Sequence, residues 1–181
     1  DLTSIGLQVI RVTDIDEKRT AIAKVIGALK YEQFDTRRTK TDALAELAGV
    51  ELPTDLMMNS VQVCEMYAQG MGIGAHTVNH PILARIDLKS AEQEILNSKL
   101  VLEGLINEPI TLFAYPNGKL GQDYEPEHAT LAKKLGFSGA VATDWGVANN
   151  KSDLFKIPRF TPWDKTRLSF GTRLLRNYVQ R

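Results

Sequence analysis

Two of the chain's three histidines, His76 and His80, are separated by only three residues. Side chains four positions apart share one face of a helical turn, so both imidazoles could reach the same cation. Imidazole nitrogen suits zinc and neighbouring divalent transition metals. The alternative is two unrelated polar histidines in a loop, and spacing alone leaves both interpretations open. A zinc-protease motif requires a glutamate directly after the first histidine, but Thr77 occupies that position.

A second informative segment is the run Tyr115-Pro116-Asn117-Gly118, which follows the apolar residues 110–114. Proline, asparagine and glycine in succession after an apolar run are typical of a strand that ends in a turn. The first histidine of the pair likewise ends a short run that contains two glycines, over residues 72–76, which is typical of a short buried strand. Chemistry in parallel α/β folds lies at the carboxyl ends of the strands, so we expect the two segments to form one site.

The elements that must position these segments alternate from residue 72 onward. The pattern predicts strands over 72–76, 110–114, 139–143 and 155–160, and helices over 90–106, 126–135 and 169–179. Alternation of this kind favours βαβ units in a parallel sheet or barrel. The helix over 90–106 has apolar positions near one face and Ser90 as its predicted cap.

The first third of the chain is predicted to be mainly helical. Val9, Ile10 and Val12 indicate a short strand, and apolar residues at helical spacing predict helices over 18–31, 36–48 and 60–69. Asp14 and Asp16 precede the first helix, where acidic side chains cap or complement a helix N-terminus.

Composition narrows the class of protein. The 22 lysines and arginines balance the 22 aspartates and glutamates, which argues against nucleic acid as a partner. No apolar run approaches the roughly 20 residues of a membrane span. The single cysteine, Cys64, rules out an intrachain disulfide and is interpreted as a buried, inert thiol.

The histidine segment Ile73-Gly74-Ala75-His76-Thr77-Val78-Asn79-His80-Pro81 resembles the second motif of the polysaccharide deacetylases, carbohydrate esterase family 4. The segment Phe113-Ala114-Tyr115-Pro116-Asn117-Gly118 resembles the family's third motif, in the form of its bacterial exopolysaccharide branch. The resemblance covers roughly residues 42–177 and is most specific in these two motifs.

The resemblance implies an α/β fold, a distorted and incomplete (β/α) barrel of the polysaccharide deacetylase type. It implies one N-terminally incomplete domain over 1–181, with 14–52 as a helical insertion-like segment. It also implies hydrolytic removal of acetyl groups from a carbohydrate polymer. A divalent metal, usually zinc, would be held by His76, His80 and one aspartate, with a second aspartate as general base.

Two family motifs are not found in the sequence. The first, of the Thr-Phe-Asp-Asp type, supplies the base and the third metal ligand, and its nearest counterpart is Val12-Thr13-Asp14-Ile15-Asp16. A helix cap is the better interpretation of those aspartates, so we expect the motif to precede Asp1. The late Leu-x-His motif is also absent, and the remaining histidine, His128, is expected to be exposed on a helix.

The resemblance suggests roles for further residues. The backbone N–H at Tyr115 would help to hold the oxyanion and its phenol would line the acetyl pocket, although a packed aromatic residue is the alternative. Arg159 would pair with the catalytic aspartate and tune its basicity, or is a surface arginine. Asn117, Trp145 and Trp163 are substrate-binding candidates, although tryptophans more often serve packing.

The predicted function is metal-dependent hydrolysis that removes acetyl groups from an N-acetylated polysaccharide or oligosaccharide. A non-catalytic carbohydrate-binding relative is the first alternative, because the aspartates are missing. An amidase acting on a small C–N substrate is the second. The expected partner is an acetylated carbohydrate polymer. The sequence does not assign the protein to a compartment, and the bacterial cytoplasm and periplasm are the alternatives. The sequence specifies neither the oligomeric state nor the metal.

Overall fold

Residues 1–160 and 163–179 are described by the structure, which is a computed structural model. The chain divides into two compact units, Asp1–Met58 and Asn59–Arg181. The assignment of residues 1–181 to a single domain, with a helical insertion over 14–52, stays a prediction.

The first unit contains a 3₁₀ turn at Thr3–Ile5 and two helices, α1 (Ile15–Leu29) and α2 (Phe34–Ala48). Asp14 caps α1, because its carboxylate accepts hydrogen bonds from the backbone N–H groups of Asp16 and Glu17 at 2.9 and 2.8 Å. Helix α2 ends at Gly49, whose φ of 63° places it in the left-handed region. Both predicted helices and the capping role of Asp14 are therefore confirmed.

The strand predicted from Val9, Ile10 and Val12 is wrong. The described residues 9–12 form no strand, and Val9 and Val12 are exposed. The described part of this unit contains no other strand to pair with them, and a strand is stable only when its backbone groups are paired.

The second unit contains the alternating elements that the sequence predicted. Its helices are α3 (Ser60–Ala68), α4 (Leu88–Ile106), α5 (Pro126–Lys134) and α6 (Arg167–Val179), with a 3₁₀ turn at Leu83–Arg85. Its strands are β1 (Leu112–Ala114), β2 (Gly139–Ala142) and β3 (Ile157–Pro158). In the described residues no helix is long and apolar enough to cross a membrane.

The three strands form a parallel sheet in the order β1-β2-β3. Phe113 lies opposite Ala140, and a single bridge adds Ala75 on the other side of β1. The predicted α/β class and the parallel strands are confirmed, but the barrel is not, because the described strands form a small open sheet. Of the strand predicted over 72–76, only the bridge at Ala75 forms. Of the strand predicted over 155–160, only the two residues of β3 form.

The core of this unit lies where α4 and α5 pack around β1 and β2. Ile95 of α4, Phe113 of β1 and Ala140 of β2 are at most 1% exposed. Tyr115 packs edge-to-face on Phe113 and stacks on Tyr124 at a centroid distance of 3.8 Å. This buried aromatic group anchors the carboxyl end of β1.

The structure corrects two predictions, the cap of α4 and the burial of Cys64. Ser90 does not cap α4; Asp87 does, because its carboxylate accepts the Ser90 N–H at 2.9 Å. Cys64 is only partly buried, and its Sγ lies 3.3 Å from the Leu105 carbonyl oxygen.

His128, expected to be exposed, is 2% exposed. Its Nδ1 accepts the backbone N–H of Glu125 at 2.9 Å, and this pair closes a capping box at the start of α5. Burial follows from helix geometry, since His128 lies one turn before the fully buried Ala132 on the inner face.

Candidate active site

The loop that carries His76 and His80 is irregular rather than helical. Thr77 and His80 have φ values of 62° and 52°, in the left-handed region that a β-branched residue rarely adopts. The two imidazoles nevertheless meet edge-to-face, with centroids 4.8 Å apart and an interplanar angle of 78°. The predicted proximity is present, although the helical turn proposed as its cause is not.

His76 is oriented by β1. Its Nδ1 lies 2.7 Å from the carbonyl oxygen of Ala114, the last residue of that strand. Because a carbonyl oxygen only accepts hydrogen bonds, Nδ1 must carry the proton, which leaves the Nε2 lone pair available for a ligand. A hydrogen bond of this kind orients most metal-binding histidines. The adjacent bridge, in which Ala75 and β1 exchange hydrogen bonds, holds the strand end in place.

The segment between the two histidines is held by Glu94 of α4. The backbone N–H groups of Val78 and Asn79 both donate to Oε2, at 2.9 and 2.8 Å. The Asn79 side-chain amide donates to Oε1 at 2.7 Å. Sequence analysis did not identify Glu94, because the contact spans 15 and 16 residues and leaves no local pattern.

The histidine pair could supply two of the ligands that a divalent metal ion needs. Both side chains are exposed, and the tautomer of His76 fits metal binding. Within residues 1–160 and 163–179, however, no group of three or more histidine, cysteine, aspartate or glutamate side chains could hold an ion. Structural and catalytic zinc sites need at least three protein ligands, so the described residues fit part of such a site.

The turn after β1 is joined to the end of β2. Asn117 and Gly118 have φ values of 56° and 79°. The Thr143 N–H donates to the Gly118 carbonyl at 2.8 Å, and the Thr143 hydroxyl donates to the Asn117 carbonyl at 2.5 Å. A Cβ at Gly118 would lie only 3.0 Å from the Thr143 nitrogen. The predicted turn therefore forms, and glycine is required for its conformation.

Tyr115 occupies a different environment from the one predicted for a catalytic group. Its N–H donates to the Val141 carbonyl at 3.2 Å, and its hydroxyl donates to the Phe155 carbonyl at 2.9 Å. Burial raises the pKa of Tyr115, with smaller contributions from Tyr124 and Asp153. The phenol thus packs in the core instead of lining a pocket, which corrects that expectation and supports the packed-aromatic alternative.

Four other predicted residues line one cavity of about 380 Å³. Asn117 enters it from the turn after β1, Trp145 from the segment after β2, and Arg159 and Trp163 from the segment after β3. Both tryptophans are largely exposed, so much of each side chain is accessible to a ligand. The structure therefore brings the predicted residues together as two groups, this cavity and the histidine pair.

Sequence analysis missed Arg173 of α6, which also lines the cavity. Its guanidinium pairs with the buried carboxylate of Asp164 at 2.9 Å and lies 5.0 Å from the centroid of the Trp145 ring. An arginine in a terminal helix carries no distinctive pattern, so no local signal could have identified it.

These features define a parallel α/β domain whose imidazole pair follows a strand-like segment at the edge of a sheet. Residues 54–140 match the family model described as polysaccharide deacetylase. The predicted resemblance to the polysaccharide deacetylases is thereby confirmed over this part of the chain.

Individual relatives agree with this assignment. YxkH from Bacillus subtilis, which is named for the same family, is 26% identical over 98 residues, or 54% of this chain and 34% of that protein. The solved structure of the Streptococcus pyogenes deacetylase PplD in complex with acetate is 27% identical, with a TM-score of 0.57, over 68% of this chain and 52% of that one. A polysaccharide deacetylase from Bacillus cereus shares the fold at 22% identity and a TM-score of 0.55, over 67% and 38% of the two chains. The chain thus spans about a third to a half of these relatives' length.

Proposed function

We propose that this chain forms part of a metal-dependent hydrolase that removes acetyl groups from an N-acetylated polysaccharide or oligosaccharide. The observation that carries the proposal is the edge-to-face contact of His76 and His80, 4.8 Å between centroids, beside the strand end that orients His76. The match of residues 54–140 to the polysaccharide deacetylase family model supports the type of reaction.

In this proposal His76 and His80 hold a divalent ion, with zinc as the best candidate for two imidazole ligands. When bound, such an ion polarises the acetyl carbonyl and lowers the pKa of its water towards about 7. The hydrogen bond from His76 Nδ1 to Ala114 leaves the Nε2 lone pair of the neutral ring available to the ion. The third ligand and the general base would be aspartates outside the described residues.

The cavity lined by Asn117, Trp145, Arg159 and Trp163 is proposed to hold the carbohydrate. Sugar rings present C–H faces that stack on indole rings, and both tryptophan side chains are largely exposed. Arg159 is also exposed, which leaves its guanidinium available either to the substrate or to the catalytic aspartate. In the aspartate's case, a nearby positive charge would favour the ionised form of the base.

The test is acetate release from N-acetylglucosamine oligomers by the complete natural protein, with and without a chelator. We expect His76→Ala and His80→Ala each to lower the metal-dependent rate by at least about 100-fold, because loss of a ligand removes the ion. His128→Gln is the matched control, since that histidine lies in the core, and it should retain the rate at pH 7.5. Full metal-dependent activity in the His76 variant would refute the proposal.

A non-catalytic carbohydrate-binding relative is the second candidate, favoured by the lack of a third metal ligand among the described residues. It predicts that the protein binds the oligomers without releasing acetate. Trp145→Ala or Trp163→Ala would then weaken binding, whereas His76→Ala would not. The amidase alternative is separated by the same assay on small amides in place of sugar oligomers.

A further inference from the structure

The side-chain carboxylate of Glu94 hydrogen-bonds to the segment between the two histidines. One carboxylate oxygen accepts two consecutive backbone N–H groups, from Val78 and Asn79, and the other accepts the Asn79 side chain. Glu94 is half-buried, and none of the ion pairs between described residues involves it. Its charge is therefore balanced by donors of this loop.

The loop needs such a partner because its backbone is unfavourable on both sides of these contacts. Thr77 and His80 adopt left-handed φ values, which are uncommon for residues other than glycine and rare for a β-branched one. Conformations of this kind persist only where the surrounding structure fixes them. The residues that Glu94 binds, 78 and 79, lie directly between the two strained positions.

Helix α4 is a rigid base for this contact. Ile95, the residue after Glu94, is fully buried in the core. The other end of the loop is fixed by the Ala75 bridge and by the hydrogen bond from His76 to Ala114. The imidazoles are therefore brought together by two anchors, one on β1 and one on α4.

We propose that Glu94 is a positioning residue that holds the 76–80 loop in the conformation in which the two imidazoles converge. In this role it acts through the backbone and side chain of residues 78 and 79, and not as a metal ligand. Its importance for catalysis rests on the proposed function, whereas its effect on the loop does not.

The metal-free protein gives the decisive test. In Glu94→Ala we expect the amide protons of Val78 and Asn79 to exchange at least about tenfold faster, because their acceptor is lost. The nuclear Overhauser contact between the His76 and His80 ring protons should disappear. Glu92→Ala removes the same charge from α4, at a half-buried residue paired with Lys134, and should change neither signal.

The conservative variant Glu94→Gln should have a smaller effect on the loop than Glu94→Ala. Glu94→Gln keeps one oxygen for the two backbone N–H groups but presents an amide donor to the Asn79 amide, so it should lie between the wild type and Glu94→Ala. It also keeps the proposal testable if the alanine variant does not fold. Unchanged exchange at residues 78 and 79 and an intact ring contact in Glu94→Gln and Glu94→Ala would overturn the proposal.

Zinc titration, followed by the imidazole resonances, links the loop to the site. We expect Glu94→Ala to lower the Zn²⁺ affinity about 10- to 100-fold, the usual effect of removing a group that orients metal ligands, while Glu92→Ala keeps it. Equal affinity in wild type and Glu94→Ala would overturn the positioning role. If the wild type of the complete protein binds no Zn²⁺, the metal-dependent function fails, and the metal-free experiment still decides the role of Glu94.

Discussion

Replacing His128 by glutamine should remove a pH-dependent loss of stability without removing a helix cap. His128 is buried, and its unprotonated Nδ1 accepts the Glu125 N–H in the capping box of α5. Glutamine is a usual residue at this position of the box and its side-chain oxygen can accept the same hydrogen bond. It does not titrate, so the variant isolates the ionisation of this one imidazole.

Burial lowers the pKa of His128 in the folded state, and the opposing effect of the Glu127 carboxylate is smaller. A proton on Nδ1 would also break the hydrogen bond from Glu125. The unfolded chain therefore binds the proton more readily, so stability falls as pH decreases. The contribution of the neutral ring is complete well above pH 6.5 and is lost as the pH falls from there towards the folded-state pKa.

The size of the effect is bounded by linkage. One pKa unit corresponds to about 1.4 kcal/mol, so the wild type should lose up to about 1.4 kcal/mol more than His128→Gln between pH 7.5 and pH 5.5. Urea unfolding at a series of pH values, followed by circular dichroism, measures this difference. The other titrating groups are common to both proteins and cancel. A difference in unfolding free energy that stays constant over this range would contradict a buried, neutral His128.

Three substitutions test the scaffold around the site by urea unfolding. Gly118→Ala should cost about 1–3 kcal/mol, because φ is 79° and the new Cβ meets the Thr143 nitrogen at 3.0 Å; no loss would show that the turn can rearrange. Asp87→Ala should cost about 1 kcal/mol through loss of the α4 cap, and an unchanged free energy would mean that water replaces it. Ile95→Ala, at a fully buried position, should cost about 2–5 kcal/mol, and a cost below 1 kcal/mol would contradict its place in the core.

Helices were the part of the fold most accessible to sequence analysis, because their signals are local. Apolar spacing located α4, and the helices predicted over 36–48 and 126–135 correspond to α2 and α5. Pro126 occupies the first turn of α5, where proline is favoured. Errors at helix starts, such as Ser90 in place of Asp87, arise because two neighbouring polar residues both satisfy the capping pattern.

Strands were less accessible, because a strand depends on a partner that is distant in sequence. Val9, Ile10 and Val12 have suitable side chains but no partner strand in their unit, whereas the equally short run at β1 pairs with β2 across an intervening helix. The burial of His128 was missed for a related reason. Residue type predicted an exposed side chain, but the face of α5 on which it lies packs into the core.

The candidate site shows how a correct expectation can have a different physical cause. The four-residue spacing predicted convergence of His76 and His80 through a helical turn, yet the structure obtains it from an irregular loop. Its two anchors, Ala114 and Glu94, lie 38 and 15–16 residues from the positions they bind. Local spacing therefore identifies which side chains converge, whereas the precision that a metal site needs comes from contacts between elements. Because α4 also packs in the core through Ile95, the geometry of the imidazole pair should depend on the stability of this domain.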